Sequence, residues 1–132
     1  MLEIQGTPPD RVVMFSVPGE PRSKQRPRVT KRGTFTPKET LEQERRVREA
    51  WLATGEEPFR FQVVVTIDFY NFTKHRRDID NMAKLVLDGL NEWAFEDDHQ
   101  VVGLNLTKRF TSKERARTDV RLAEVILWPD ES

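Results

Sequence analysis

The chain has 132 residues, the size of one ordinary domain, and its 36% hydrophobic and 33% charged composition, with eight Phe and three Trp, supplies one core under a polar surface. This excludes a multidomain machine and a disordered chain; no run approaches the about 18 apolar residues of a spanning helix, and zero cysteines remove disulfides, thiolate metal sites and a Cys nucleophile. Twenty-two basic residues balance 22 acidic ones, a net charge of zero that by itself argues against a nucleic-acid partner.

Met1 to Asp10 has neither the basic start nor the apolar stretch of a signal peptide, so a cytoplasmic protein is expected, with residues 1–10 and 129–132 as frayed ends of a single domain. Arg11 to Val17, with Val13, Phe15 and Val17 on one side and Pro18-Gly19 behind them, predicts a short strand. Within the segment that follows, Arg28 to Thr36 predicts a small hairpin turning at Lys31-Arg32-Gly33. Thr36-Pro37-Lys38-Glu39 has the form of a helix start, with Thr36 as N-cap, Pro37 in the first turn and Glu39 closing a capping box. The helix should reach about Thr54 and stop at Gly55, packing a narrow stripe of Leu41, Val47, Ala50 and Trp51.

Phe59 to Tyr70 alternates strictly, with Phe59, Phe61, Val63, Val65, Ile67 and Phe69 on one face, and predicts a central strand. Apolar residues then return at helical spacing (Ile79, Met82, Val86, Leu90 and Trp93), which predicts a second helix from about Asp80 to Glu92. Gln100 to Phe110 (Val102, Leu104, Leu106, Phe110) and Thr118 to Trp128 (Val120, Leu122, Ile126, Trp128) predict two more strands. The three tryptophans fall on the apolar sides of their elements and are expected in the core. The order β-α-β-α-β-β is most economically an α+β fold: one mixed sheet, two main helices, and a right-handed crossover from Phe59 to Phe110.

Charge is segregated along this frame. From Arg22 to Lys38 there are seven basic residues and no acid; Lys74, Arg76 and Arg77 form a second cluster, and Lys108, Arg109, Lys113, Arg115 and Arg117 a third. Asp88, Glu92, Glu96, Asp97 and Asp98 crowd into eleven residues. A local patch, not the sum, decides polyanion binding, so a phosphate-binding face beside an acidic site is expected. The plain alternative is a set of solvated loops.

The sharpest motif is Arg77-Asp78-Ile79-Asp80-Asn81-Met82-Ala83-Lys84, between the best strand and the second helix. Two carboxylates one residue apart can project together from a sheet end, although Asp80 or Asn81 could simply cap the helix. If Asp98 folds back to join Asp78 and Asp80, three converging carboxylates call for a hard divalent cation, and metal-assisted phosphodiester hydrolysis is the matching chemistry. Lys84 lies one turn after Asp80 and either stabilises charge on the reacting phosphate or makes an ordinary i, i+4 ion pair. His75 and His99 lack zinc-hydrolase spacing, and no glycine-rich nucleotide cradle is present, so no nucleotide cofactor is expected.

That segment, together with Asp88-Gly89-Leu90, Asp97-Asp98-His99-Gln100-Val101 and the opening Gly19-Glu20-Pro21-Arg22-Ser23-Lys24-Gln25-Arg26-Pro27-Arg28, resembles the RusA-type Holliday junction resolvases, endodeoxyribonucleases common in phages and prophages. The resemblance runs from Val13 to about Lys108. It implies a homodimer of mixed α/β fold, dependent on Mg2+ with Mn2+ as a substitute, that resolves four-way DNA junctions by paired symmetric nicks. It puts catalytic aspartates on Asp78, Asp80 and Asp98 and the essential lysine on Lys84, with Asp97 a further candidate ligand and Glu96 a close competitor. Lys24, Arg26 and Arg28 inherit a DNA-backbone role, which their charge extends to Lys31, Arg32, Lys74, Arg76, Arg77 and Lys108. Two other readings stand beside it: a metal-dependent nuclease for other branched or flapped DNA, and a non-catalytic DNA-binding or regulatory module.

Overall fold

The computed structural model describes residues 11–125; the expected frayed ends, and Ile126 and Trp128 of the last strand, lie outside the described residues. In chain order come β1 (Val12–Pro18), β2 (Arg28–Thr30), β3 (Gly33–Phe35), α1 (Lys38–Ala53), β4 (Val63–Asn71), α2 (Ile79–Leu90), β5 (Val101–Phe110) and β6 (Arg117–Glu124), with single 3-10 turns at Asp98–Gln100 and Lys113–Arg115. The α+β expectation holds. A four-stranded mixed sheet has the order β1-β6-β4-β5, and β2-β3 makes a separate two-stranded sheet. The β4–β5 pair is parallel, with α2 as its crossover, whereas β6 pairs antiparallel with both β1 and β4. No helix among the described residues is long and apolar enough to cross a membrane.

Both helices cover one face of the sheet. Val13, Val17, Val63, Val65, Ile67, Phe69, Val120 and Leu122 meet Val47 and Trp51 of α1 and Met82, Leu85, Val86 and Leu90 of α2 in one cluster. The helices come so close at Gly89 that a Cβ there would lie 2.8 Å from the Glu44 carbonyl oxygen and 2.9 Å from Val47 Cβ. The opposite face carries cross-strand polar pairs, with Ser16 donating to Asp119 at 2.6 Å, Thr107 bonded to Asp68, and the Arg117 guanidinium 4.0 Å above the Tyr70 ring.

Several local expectations change. Pro37, with extended backbone (φ −55°, ψ 146°), takes the N-cap place expected of Thr36, and no side chain caps α1. Instead Thr40 is buried in the first turn, where its hydroxyl accepts from the Gln25 amide at 3.2 Å; Leu41, expected in the stripe, is exposed. The strand expected from Phe59 begins at Val63, because Phe59 pairs with Phe95 in an isolated bridge and Phe61 turns out to solvent. On β5, Leu104 and Leu106 share the core face with Val65 and Ile67, as the alternation implies, but β5 is an edge strand, so Leu104 and Phe110 stay exposed. Trp51 is buried as expected, whereas Trp93 is exposed beyond the end of α2 with Arg48 over its ring.

Candidate active site

Asp78 and Asp80 stand where the chain leaves the top of the sheet and enters α2. Asp78 occupies the N-cap position with extended backbone (φ −69°, ψ 128°), and its carbonyl accepts the Met82 amide at 3.0 Å. Its carboxylate does not cap: no side chain satisfies the helix start. Asp78, Asp80 and Lys84 are all exposed, and among the described residues Lys84 forms no ion pair with Asp80 or any other acid. The residue types that would suit a helix start are therefore present without being used as one.

The loop that presents them is fixed from outside. The Glu20 side chain, only 7% exposed, accepts from the Phe72 amide at 2.8 Å, from the Thr73 hydroxyl, and from Arg77, itself 13% exposed, at 3.2 Å. Burial pushes the Glu20 carboxyl up, but the Thr73 hydroxyl, the Phe72 and Thr73 amides and Arg77 together outweigh it and hold the group below its ordinary value. Lys108, on the neighbouring strand, donates to the Arg77 carbonyl at 2.8 Å. Nothing in the motif flagged Glu20; the available signal was an acid set immediately before a run of cations.

Asp97 and Asp98 form a second acidic station. Asp97 starts the 3-10 turn, accepts the Asp98 amide at 2.8 Å and faces His99 Nδ1 at 2.6 Å. The His99 bond, assisted by Asp98, keeps the Asp97 carboxyl below its ordinary value. Asp97 is thus engaged by the turn although its side chain is exposed, and Asp98 is a second exposed carboxylate beside it. The turn is fastened by Gln100, buried at 8% exposure: its carbonyl oxygen accepts the Glu96 and Asp97 amides at 2.8 and 3.3 Å, and its amide donates to the Phe59 and Phe61 carbonyls at 3.0 and 3.1 Å. Sequence reading gave Gln100 no role.

The expected meeting of Asp98 with Asp78 and Asp80 does not occur within one chain. Because β4 and β5 are parallel, Asp78 follows the C-terminal end of β4 while Asp98 precedes the N-terminal end of β5, where Val101 pairs with Val63. The nine residues of β4 cover roughly 30 Å at about 3.3 Å each, which separates the two stations by about the sheet's length. Among the described residues no three acidic or histidine side chains are grouped to hold a metal.

The cations divide into two sets. Arg26, Arg28, Lys31, Arg32, Lys74 and Arg76 are exposed. Lys24 and Arg77 are half-buried in ion pairs, and Lys108, although exposed, is tied to the Arg77 carbonyl: Lys24 bonds Asp88 and lies 3.9 Å from Glu44, and its backbone amide donates to the Asn81 carbonyl at 3.1 Å. Burial raises the Glu44 carboxyl above its ordinary value, against the pull of Lys24.

Free carboxylates at the mouth of a helix, beside an exposed cationic arm on an α+β frame, are the chemistry a nuclease of this class would need. Residues 18–123 match the family model described as Endodeoxyribonuclease RusA, which is most of the chain, and the chain belongs to that family. The family activity is endodeoxyribonucleolytic and directed at Holliday junctions. A comparison with curated proteins finds no match.

Proposed function

We propose that this chain resolves four-way DNA junctions as a homodimer, cutting two symmetric strands by divalent-metal-assisted hydrolysis. The observation that carries the reading is the freedom of Asp78 and Asp80: the helix start they occupy makes no use of the Asp78 carboxylate, both are exposed, and Asp80 lies about one turn from Lys84. Two unengaged carboxylates are a fitting oxygen donor set for a hard cation such as Mg2+, with Mn2+ as a substitute. Bound there, the ion would supply a Lewis acid for the scissile phosphate and a more acidic water. Lys84 meets the negative charge that grows on the phosphate and its leaving oxygen. Glu20, Arg77 and Lys108 keep the Asp78 loop in place, and the exposed arm grips phosphates without reading sequence.

Asp98 belongs to this site only if it comes from the other subunit. A two-fold dimer that sets the bottom of one sheet against the top of the next brings Asp98 of the partner subunit to Asp78 and Asp80, and it matches the approximate two-fold symmetry of a junction. Subunit mixing tests this. Asp80→Asn and Asp98→Asn each abolish cutting, without a stability change beyond about 0.5 kcal/mol. Mixed in equal parts, about half of the dimers then carry one intact composite site, so single nicks return. A mixture that stays dead refutes the shared site, and an Asp80→Asn protein that cuts normally refutes the metal role. Equal cutting of plain duplex or flap DNA by the wild type refutes junction resolution.

A further inference from the structure

The hairpin β2–β3 is built differently from the rest of the molecule. All six of its strand residues are exposed, and it pairs with no other strand. Its tip is nevertheless well defined: Gly33 has a φ of +120°, which an L side chain rarely adopts, and the Thr30 hydroxyl accepts the Arg32 amide and donates to the Gly33 carbonyl, both at 3.2 Å. Lys31 and Arg32 fill the turn. The register sets Arg28 opposite Phe35 on one face and Val29 opposite Thr34 on the other. Phe35 is 47% exposed and Val29 80% exposed, so each face of a cationic ribbon presents one apolar side chain to water.

A two-stranded hairpin alone is only marginally stable in water, and a ribbon lying flat on a single surface buries the apolar group of one face and leaves the other in water. Both gain when the ribbon enters between two surfaces. The charge fixes the occupant: the segment from Arg22 to Lys38 carries seven cations and no acid, which complements phosphate. Duplex DNA hides its base faces in the stack, whereas the crossover of a four-way junction interrupts stacking and leaves base-pair faces at the ends of its arms. We infer that the Arg28–Phe35 hairpin inserts at the branch point, where Phe35 and Val29 pack on exposed base faces while Lys31 and Arg32 hold the flanking phosphates. This rests on the junction-resolving reading and adds to it the element that distinguishes a junction from a duplex.

The two parts of the hairpin have separable signatures. In metal-free buffer, where nothing is cut, the doubly substituted Val29→Ala, Phe35→Ala protein should bind a four-way junction about tenfold more weakly, the size of a lost base–aromatic stack. Its duplex affinity and its salt slope should not change. Lys31→Ala with Arg32→Ala should instead weaken junction and duplex alike and lower the salt slope by about two for each hairpin that contacts the DNA. A 2-aminopurine placed at the branch point should change fluorescence with wild-type protein and not with the apolar double variant. Both residues lie outside the core, so thermal melts should match the wild type. If wild-type cutting of the junction is seen but the apolar variant keeps full junction-over-duplex selectivity, or loses affinity for both DNAs equally, insertion is overturned and the resolvase reading survives. Wild-type protein that neither prefers nor cuts a junction overturns both.

Discussion

Replacing Glu20 tests what holds the loop that carries Asp78. Glu20→Ala removes a carboxylate whose side chain is 7% exposed, strands the Arg77 guanidinium at 13% exposure and leaves the Phe72 amide without its 2.8 Å acceptor. Breaking a buried ion pair from one side costs about 3–5 kcal/mol; this pair lies at the rim of the sheet, so the lower end applies, about 3 kcal/mol. At about 4 °C per kcal/mol for a chain of this size, the melting temperature should fall by roughly 12 °C. Glu20→Gln keeps an oxygen for the Phe72 amide and loses only the charge opposite Arg77, so about half of that loss is expected. The effect must also depend on pH in one direction. The Glu20 carboxyl is held below its ordinary 4.5, so its stabilising contribution is complete above that value and disappears as pH falls through the lower folded-state value. Wild type and Glu20→Ala should therefore differ at pH 7 and converge in acid, as read by urea unfolding at a series of pH values. Junction cutting at 25 °C, where the variant remains folded, should drop by up to about 100-fold if the Asp78 loop shifts by about an ångström. A Glu20→Ala protein within about 0.5 kcal/mol of wild type at pH 7, or one whose deficit is the same in acid, would refute the tether.

Other substitutions probe the packing and the second acidic station. Gly89→Ala drives a methyl against the Glu44 carbonyl and Val47; overpacking costs about 1–3 kcal/mol, the helix preference of Ala returns about 1 kcal/mol, and thermal melts should show a net loss. An unchanged or higher melting temperature would show that the two helices separate freely. Gln100→Glu places a carboxylate against the Phe59 and Phe61 carbonyls that the amide now serves, so about 2 kcal/mol or more of stability should go, together with junction cutting, because the turn carrying Asp98 comes loose. Chemical denaturation and a nicking assay check the two parts separately, and full stability would contradict the four-bond arrangement.

Local periodicity carried most of the fold. The alternation at Val63, Val65, Ile67 and Phe69 and the helical spacing of Met82, Val86 and Leu90 each bury the face they mark, because side-chain direction along a strand or helix is a short-range property. What alternation cannot see is the neighbour. Leu104 points the right way and is still exposed because β5 is an edge, and the Phe59 to Gln62 stretch leaves the sheet because the Gln100 amide takes two of its carbonyls. The site divides in the same way. Asp78, Asp80 and Lys84 are legible from spacing within the first two turns of one helix, whereas the distance to Asp98 is set by the parallel pairing of two strands. Lys24 looked like its cationic neighbours until tertiary contact with Asp88 and Glu44 set it apart.

The attachment of Lys24 has a mechanical side. Its amide is bonded to the Asn81 carbonyl in the first turn of α2, and its ammonium to Asp88 two turns further along the same helix. The root of the arm is therefore fastened along the helix that opens with Asp78 and Asp80. The far end of the arm runs into α1 at Lys38, and the Gln25 amide is held by Thr40 of that helix, so the arm is anchored to both helices. The arm and the acidic pair thus share one rigid support, and a displacement of either is felt by the other through Lys24.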